Sequence, residues 1–225
     1  MGTGRRKAEP VPQVHIERII TSGSIGVGRP GLPVDGIQLE NNVWLIGDSE
    51  RVLVIDAAHD AQAIAQAVGE RETLGILLTH GHEDHVNAAL EAAQLLDTHV
   101  YLHPEDLFIW SETHGDALPD FELTHGATFQ VGEIELSTRH TPGHTPGSVC
   151  FVAPALNTVF SGDTLFQGGP GATRWDYSSF PQIITSIQES LFTLPAATVV
   201  QPGHGDHTVI EREQPALESW LARGQ

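Results

Sequence analysis

Cysteine is almost absent from this chain, with one residue, Cys150, among 225. A single thiol excludes an internal disulfide framework and fits a reducing compartment. Cys150 sits in an apolar run, residues 148–152, and reads as a buried structural thiol rather than a nucleophile. Basic residues are scarce too: 11 Lys and Arg stand against 29 Asp and Glu, a formal charge of -18. Such a surface repels phosphate backbones and anionic lipid, which argues against a nucleic-acid partner or a membrane-surface role. No apolar stretch approaches the length that crosses a bilayer, and residues 1–12 lack the hydrophobic segment of a secretory signal. The expected location is the cytoplasm. Residues 1–12, rich in Gly, Pro and charge, read as a flexible tail. Residues 13–225 read as a single domain, long enough to bury a sizeable core.

What the chain does have is a series of short apolar runs. Residues 43–46 and 52–55 flank Gly47-Asp48-Ser49-Glu50, a hairpin signal. Asp56 closes the second run, where it either caps the next helix or supports a neighbouring loop. Ala61, Ile64, Ala65 and Val68 fall at helical spacing, with Gly69 as the stop. A strand then runs to Thr79. Val86, Ala89, Leu90 and Ala93 outline a second one-sided helix, and residues 99–102 the next strand. This β-α-β-α-β order predicts an α/β sheet with some parallel pairing. Residues 22–35, rich in Gly and Pro, read as a connecting loop, and 111–127 as a polar, turn-rich span. Further on, 131–138 reads as a hairpin strand, while 150–152 and 158–161 pair around Asn157. Phe180, Ile183, Ile184, Ile187 and Leu191 form a core-facing helix stripe. Residues 197–200 make another strand, and a short helix surrounds Leu217 and Trp220.

The most informative stretch is Thr79-His80-Gly81-His82-Glu83-Asp84-His85, directly after Ile76-Leu77-Leu78. An extended chain ending in His-x-His sets both imidazoles on one side. Asp84 and His85 come where a helix begins, so they can aim at a neighbouring spot. Imidazole and carboxylate together suit Zn, Fe and Mn. A lone His-x-His would pass as a polar loop, but further candidates follow. Two Pro-Gly pairs bracket His144 in Thr141-Pro142-Gly143-His144-Thr145-Pro146-Gly147-Ser148, which stiffens that turn. Asp163 ends an apolar strand after Gly162. His204 lies in Pro202-Gly203-His204-Gly205, where glycine lets backbone approach closely. The chain has 13 histidines, more than one metal site can use. His99, His103, His114 and His125 read as surface or satisfied core residues, and His59 is the best of the spares.

The pattern His80-x-His82-x-Asp84-His85, followed in order by His144, Asp163 and His204, resembles the metallo-β-lactamase fold superfamily. Within it, the chain is similar to the glyoxalase II (hydroxyacylglutathione hydrolase) group over residues 43–205. The resemblance implies a four-layer αβ/βα sandwich, two packed sheets with helices outside and a metal site at one edge. It implies two divalent metal ions, zinc first, with iron or manganese as alternatives. His80, His82 and His144 would hold one, Asp84, His85 and His204 the other, and Asp163 would bridge them. A water between two such cations is acidified to a pKa near ~7 rather than 15.7. The resulting hydroxide can attack a carbonyl, and Asp84 can also accept a hydrogen bond that orients it.

The leaving group then decides the substrate class. A thiolate, with a conjugate-acid pKa of about 8.5, departs without a proton, whereas an alkoxide benefits from an acid. Tyr101 and Tyr177 are the only phenols, and Tyr177 lies in the glycine-rich loop 168–179 on the expected substrate side. Without a strong general acid, a small acyl-thiol substrate is favoured over a lactone or other ester. Arg174, in the same loop, either meets an anionic substrate group or is merely solvated; no phosphate-cradling motif follows it. Glutathione-using members carry a basic C-terminal extension, whereas here Arg212 and Arg223 are the only basic residues after His204. Another thiol, such as mycothiol, is therefore an alternative. Zinc β-lactamases with this motif usually have Cys at the position of Asp163 and are exported, and nuclease members carry an extra domain. Both fit less well than a lactone or ester hydrolase, or a mononuclear-iron persulfide dioxygenase of the same fold.

Overall fold

Burial with a period of two organises the strands. In the computed structural model, which describes residues 13–224, Val43 and Leu45 pack with Val52, Val54, Ile76 and Leu78. Trp44 and Ile46 turn the other way, joining Leu53, Ile55 and Leu77. Strands buried on both faces need no polar alternation, which explains why these segments read as unbroken apolar runs. The expected tail at residues 1–12 lies outside the described residues.

Six strands form the first sheet: β1 (His15–Ile25), β2 (Ile37–Gly47), β3 (Arg51–Ile55), β4 (Glu72–Leu77), β5 (Val100–Leu102) and β6 (Phe121–Glu122). They lie in chain order, antiparallel from β1 to β3 and parallel from β3 to β6. The second sheet holds β7 (Thr128–Val131), β8 (Ile134–His140), β9 (Val149–Ala153) and β10 (Thr158–Gly162). A short ribbon of β11 (Leu165–Phe166) and β12 (Gly169–Pro170) follows, before β13 (Val199–Pro202) and β14 (Thr208–Val209) complete the second sheet. Its order is β14-β13-β10-β9-β8-β7, with β10 and β13 parallel.

Helices α1 (Ala61–Val68), α2 (Glu83–Val86), α3 (Ala89–Leu96) and α4 (Leu107–His114) connect strands of the first sheet. Helix α5 (Phe180–Ser186), prolonged by a π turn over Ile187–Leu191, and α6 (Ile210–Glu213) and α7 (Leu217–Arg223) belong to the second half. Asp60 caps α1 by accepting from Ala63 N, and Gly69 ends it at φ 66°.

Three apolar clusters separate four layers. Ile64, Val68, Ala89 and Ala92 close α1 and α3 on the outer face of the first sheet. Trp44, Phe151 and Phe160 fill the space between the sheets. Ile183, Ile187, Leu191 and Trp220 seal α5, its π turn and α7 on the second. Each large side chain contributes roughly 1.5–3 kcal/mol on burial, so no layer is dispensable. The αβ/βα sandwich is thus the fold.

Local expectations differ in instructive places. Residues 22–25 belong to β1, leaving only 26–36 as the loop; β1 buries Thr21 alone and carries no apolar face to betray it. The turn-rich span begins inside α4, whose apolar residues 107–110 are consecutive rather than spaced at a helical period. The second one-sided helix is broken into α2 and α3 at Asn87 and Ala88. The hairpin strand of residues 131–138 is two strands, β7 and β8, joined at Gly132 and Glu133, and the strand expected at 197–200 starts at Val199. β4 ends at Leu77, so His80 and His82 stand beyond the ladder. Cys150 is fully buried. Among the described residues, no helix is long and apolar enough to cross a membrane.

Candidate metal centre

Several chain segments end at the same edge of the two sheets. The extension of β4 delivers His80 and His82, α2 delivers Asp84 and His85, and the turn before β9 delivers His144. Asp163 follows β10 and His204 follows β13. Possible ligand atoms of His80, His82 and His144 lie within 4.8 Å of one another, as do those of Asp84, His85 and His204. Asp163 stands between the groups: its oxygens are 3.3 Å from His85 Nε2, 3.6 Å from His144 Nε2 and 3.7 Å from His204 Nε2. All seven residues singled out in the sequence therefore converge. Glycine at 203 is a packing requirement, because a Cβ there would approach His85 Cε1 to 2.4 Å and Asp163 Oδ1 to 2.5 Å.

The imidazoles share one orientation rule, each using one nitrogen outward and turning the other in. His85 Nδ1 meets the Asp56 carboxylate at 2.9 Å, and His80 Nδ1 meets Thr79 Oγ1 at 3.1 Å. His144 Nδ1 donates to Ala172 O at 2.8 Å and His204 Nδ1 to Glu40 O at 2.7 Å. His82 is reversed, with Nε2 2.9 Å from the Tyr177 hydroxyl. Outer partners of this kind fix the tautomer and leave an inward lone pair. Inward nitrogens then crowd together, His82 Nδ1 to His144 Nε2 at 3.0 Å and His85 Nε2 to His204 Nε2 at 3.2 Å. Buried His80 Nε2 and Asp163 Oδ1 find no protein hydrogen-bond partner. Facing lone pairs and orphaned buried acceptors are what a cation between them would satisfy, so the donor set fits divalent metal.

The two halves differ electrically. Burial, reinforced by neighbouring histidines, holds His80 well below its ordinary pKa and pushes His82 down to about 3; burial also lowers His144. These three are neutral imidazoles, the ligating form. On the other side burial works against charge, yet Asp163, Asp84 and Asp56 together raise His85 well above its usual value. Asp84 is also buried, but His85 and His204 hold its carboxyl well below the ordinary range. The acidic half thus favours a positive charge in its midst.

Three supports were only partly visible in the sequence. Asp56 does not cap α1, a role Asp60 fills; instead its carboxylate accepts from Thr79 N at 2.7 Å as well as facing His85. Asp106, fully buried, accepts from Gly81 N, Thr145 Oγ1 and Gly147 N at 2.8, 2.7 and 2.6 Å. It ties the His80 loop to the His144 turn. β2 does the same for His204: Asn42 Nδ2 donates to Pro202 O and Gly205 O, each at 2.9 Å. Nothing local marks Asp106, an acid in a Pro-Glu-Asp turn. The Asn41-Asn42 pair before the apolar run of β2 is the one local signal for this tie to His204.

The centre opens into a pocket of about 640 Å³ whose lining includes Leu39, Ile109, Phe166, Arg174, Trp175 and Tyr177. Arg174 lies over the Trp175 ring, 4.8 Å from its centroid, and Trp175 packs against His82 at 4.4 Å. Arg29 also faces the pocket, paired with Glu83 at 3.1 Å and Glu112 at 3.5 Å. Burial pushes the Tyr177 phenol up to about 12. The spare histidines stay outside the converging set. His99 lies 3.7 Å from Asp120, His114 bonds Val86 O, and His125 Nδ1 accepts from His140 N. His103 and His140 come near Glu105, but their rings stack at 4.1 Å and 14°, so their in-plane lone pairs run side by side instead of converging. His59 reaches Asn41 rather than the ligands.

An αβ/βα sandwich with clustered His and Asp donors at one sheet edge defines a class of metal-dependent hydrolases. The chain belongs to the metallo-beta-lactamase superfamily, whose model matches residues 36–204. It is 36% identical over 197 residues to "Probable metallo-hydrolase YqgX" of Bacillus subtilis (strain 168), covering 81% of this chain and 92% of that protein. It is 30% identical over 199 residues to hydroxyacylglutathione hydrolase GloC of Haemophilus influenzae (strain Rd), covering 81% and 93%. The protein TTHA1623, crystallised in a di-iron-bound form, superimposes with a TM-score of 0.68 at 32% identity, over 78% of this chain and 93% of that one.

Proposed function

We propose that this chain is a cytoplasmic hydrolase that uses two divalent metal ions, zinc foremost, to cleave the thioester of a small thiol. The observation that carries the reading is the pair of three-donor groups on either side of Asp163, open to a pocket large enough for an acyl-thiol. When bound, the cations supply an acidified water and polarise a carbonyl. His80, His82 and His144 would hold one cation through neutral nitrogen, Asp84, His85 and His204 would hold the other through a carboxylate and two nitrogens, and Asp163 would serve both. Asp84 has the further task of accepting a hydrogen bond from the attacking water. Arg174 receives an anionic group at the pocket rim, while Trp175 and Tyr177 provide the wall along which the acyl-thiol lies.

The leaving group argues for sulfur. Tyr177 is the one tyrosine lining the pocket; its hydroxyl is engaged with His82 and its pKa of about 12 makes it a poor acid at neutral pH. A thiolate needs no such acid. The similarity to GloC adds the same substrate class, though with one thiol named only for that protein.

The test is elemental analysis of protein purified without added metal, followed by turnover of S-acyl thiols, lactones and a persulfide. Two metal equivalents and preferential S-acyl cleavage are expected. Lactone cleavage without thioester cleavage would replace the substrate. A single iron with oxygen uptake on a persulfide would replace the reaction by the dioxygenase alternative. Arg174→Ala is expected to raise KM for anionic thioesters with little change in kcat.

A further inference from the structure

His59 occupies a left-handed backbone conformation, φ 62°, that residues with a side chain seldom adopt. Strain of this kind persists where the surroundings need the side chain that causes it. β1 makes room for the ring with Gly23, where a Cβ would come within 2.5 Å of His59 Nδ1. Both ring nitrogens are used. Asn87 Nδ2 donates to Nδ1 at 3.1 Å, so the proton sits on Nε2, which donates to Asn41 Oδ1 at 2.9 Å.

That bond decides which way the Asn41 amide faces. With Oδ1 held by His59, Nδ2 points at Asp84 Oδ2, 3.2 Å away, and lies 3.3 Å from His204 Nε2. Turned over, the amide would set its oxygen against the Asp84 carboxylate. Asn41 is fully buried, and no other side-chain hydrogen bond to its Oδ1 exists among the described residues. We propose that His59 is a positioning residue: through the Asn41 amide it holds Asp84 and His204 ready to ligate, and so governs metal retention in the acidic half of the centre. This rests on the ligand assignment proposed above.

The test measures Zn²⁺ release from the full-length, Zn²⁺-loaded chain to a chromophoric chelator, without substrate. His59→Gly suits the left-handed backbone and deletes the ring. It is expected to release one of two equivalents roughly 10- to 100-fold more readily, the range for loss of an outer partner, and to hold the other as before. His59→Gln, whose amide nitrogen can stand where Nε2 stands, should recover most of the retention. His59→Asn, also tolerant of positive φ, should not, because its amide reaches only the position of Nδ1. Since His59 acts through Asn41, the double variant Asn41→Ala/His59→Gly should lose no more than Asn41→Ala alone. Gly23→Ala, which displaces the ring while leaving His59 in place, should behave like His59→Gly. Two tightly held equivalents in His59→Gly, or additive losses in the double variant, would overturn the role of His59 alone. Fewer than two equivalents in the unaltered chain would overturn the ligand assignment and this inference together.

Discussion

Asp163 is the residue on which both proposed half-sites depend, since its carboxylate lies near His144 of one and near His85 and His204 of the other. Asp163→Ala is expected to lose metal and activity together. The loss should exceed the roughly 10- to 100-fold typical of an outer partner. Elemental analysis alongside turnover measures both; a variant that keeps two metals at full rate removes the bridging role. Cys150 makes a different prediction, about stability. Burial pushes its thiol from 9.0 up to about 11, so the folded state favours the protonated form more than the unfolded chain does. Its contribution is complete below pH 9 and is lost as pH rises towards 11, a fall of about 3 kcal/mol in full. Denaturant unfolding across pH 8–11 should show that fall in the native chain and a shallower one in Cys150→Ala, where the raised Tyr177 phenol still acts above pH 10. Residues of the two kinds were not equally legible. The seven donors stand out because metal ligation demands particular side chains, and their Gly- and Pro-rich turns restrict where they can point. Asp106 and Asn41 are common polar residues, and only tertiary contact makes them buried.

At the scale of elements, legibility followed burial. β2, β3, β4, β9 and β10 are covered on both faces, so their apolar runs survive in any reading of the sequence. β1 is mostly exposed or half-buried and left no such trace. The turn over 141–148 looked stiff from its two Pro-Gly pairs, yet its attachment comes from elsewhere: Asp106 fastens Thr145 and Gly147 to Gly81. Burial raises the Asp106 pKa, and the three donors only partly offset that. Asp106→Ala strands two buried backbone donors, Gly81 N and Gly147 N, each costing about 1–3 kcal/mol if water does not reach it, while the Thr145 hydroxyl keeps Ser148 Oγ at 2.7 Å. A stability loss of about 3–5 kcal/mol is expected from denaturant unfolding, in the range reserved for broken buried networks. The His80 loop and the His144 turn should also separate, so metal release should quicken from the three-histidine half. A variant with native stability and native retention would mean that the Pro-Gly turn positions His144 unaided.

For the whole molecule, the governing fact is charge. The chain carries -18, and two divalent cations would offset only four units of it. At 0.01 M salt the screening length is about 30 Å, comparable to the molecule, and an approaching ligand meets the net negative field. At 0.15 M it is about 8 Å, and only charges near the pocket mouth are felt. Those nearby charges are balanced differently: Arg29 is paired with Glu83 and Glu112, while Arg174 lies over Trp175 and has no carboxylate partner among the described residues. The proposed cations, deep in the pocket, would act on the substrate after entry, whereas the distant acids act before it. An anionic thioester should therefore gain kcat/KM as salt rises from 0.01 to 0.15 M, roughly 2- to 10-fold, which is modest beside the 10–10³ available to strongly steered encounters. A neutral thioester should be indifferent, and kcat should hold for both because the bound complex is already inside the screened region. Arg174→Ala should steepen the salt response for the anionic substrate by removing the local attraction that opposes the global field. A kcat/KM that instead falls with salt would show that the pocket's own cations reach past the acidic surface and capture anions at a distance.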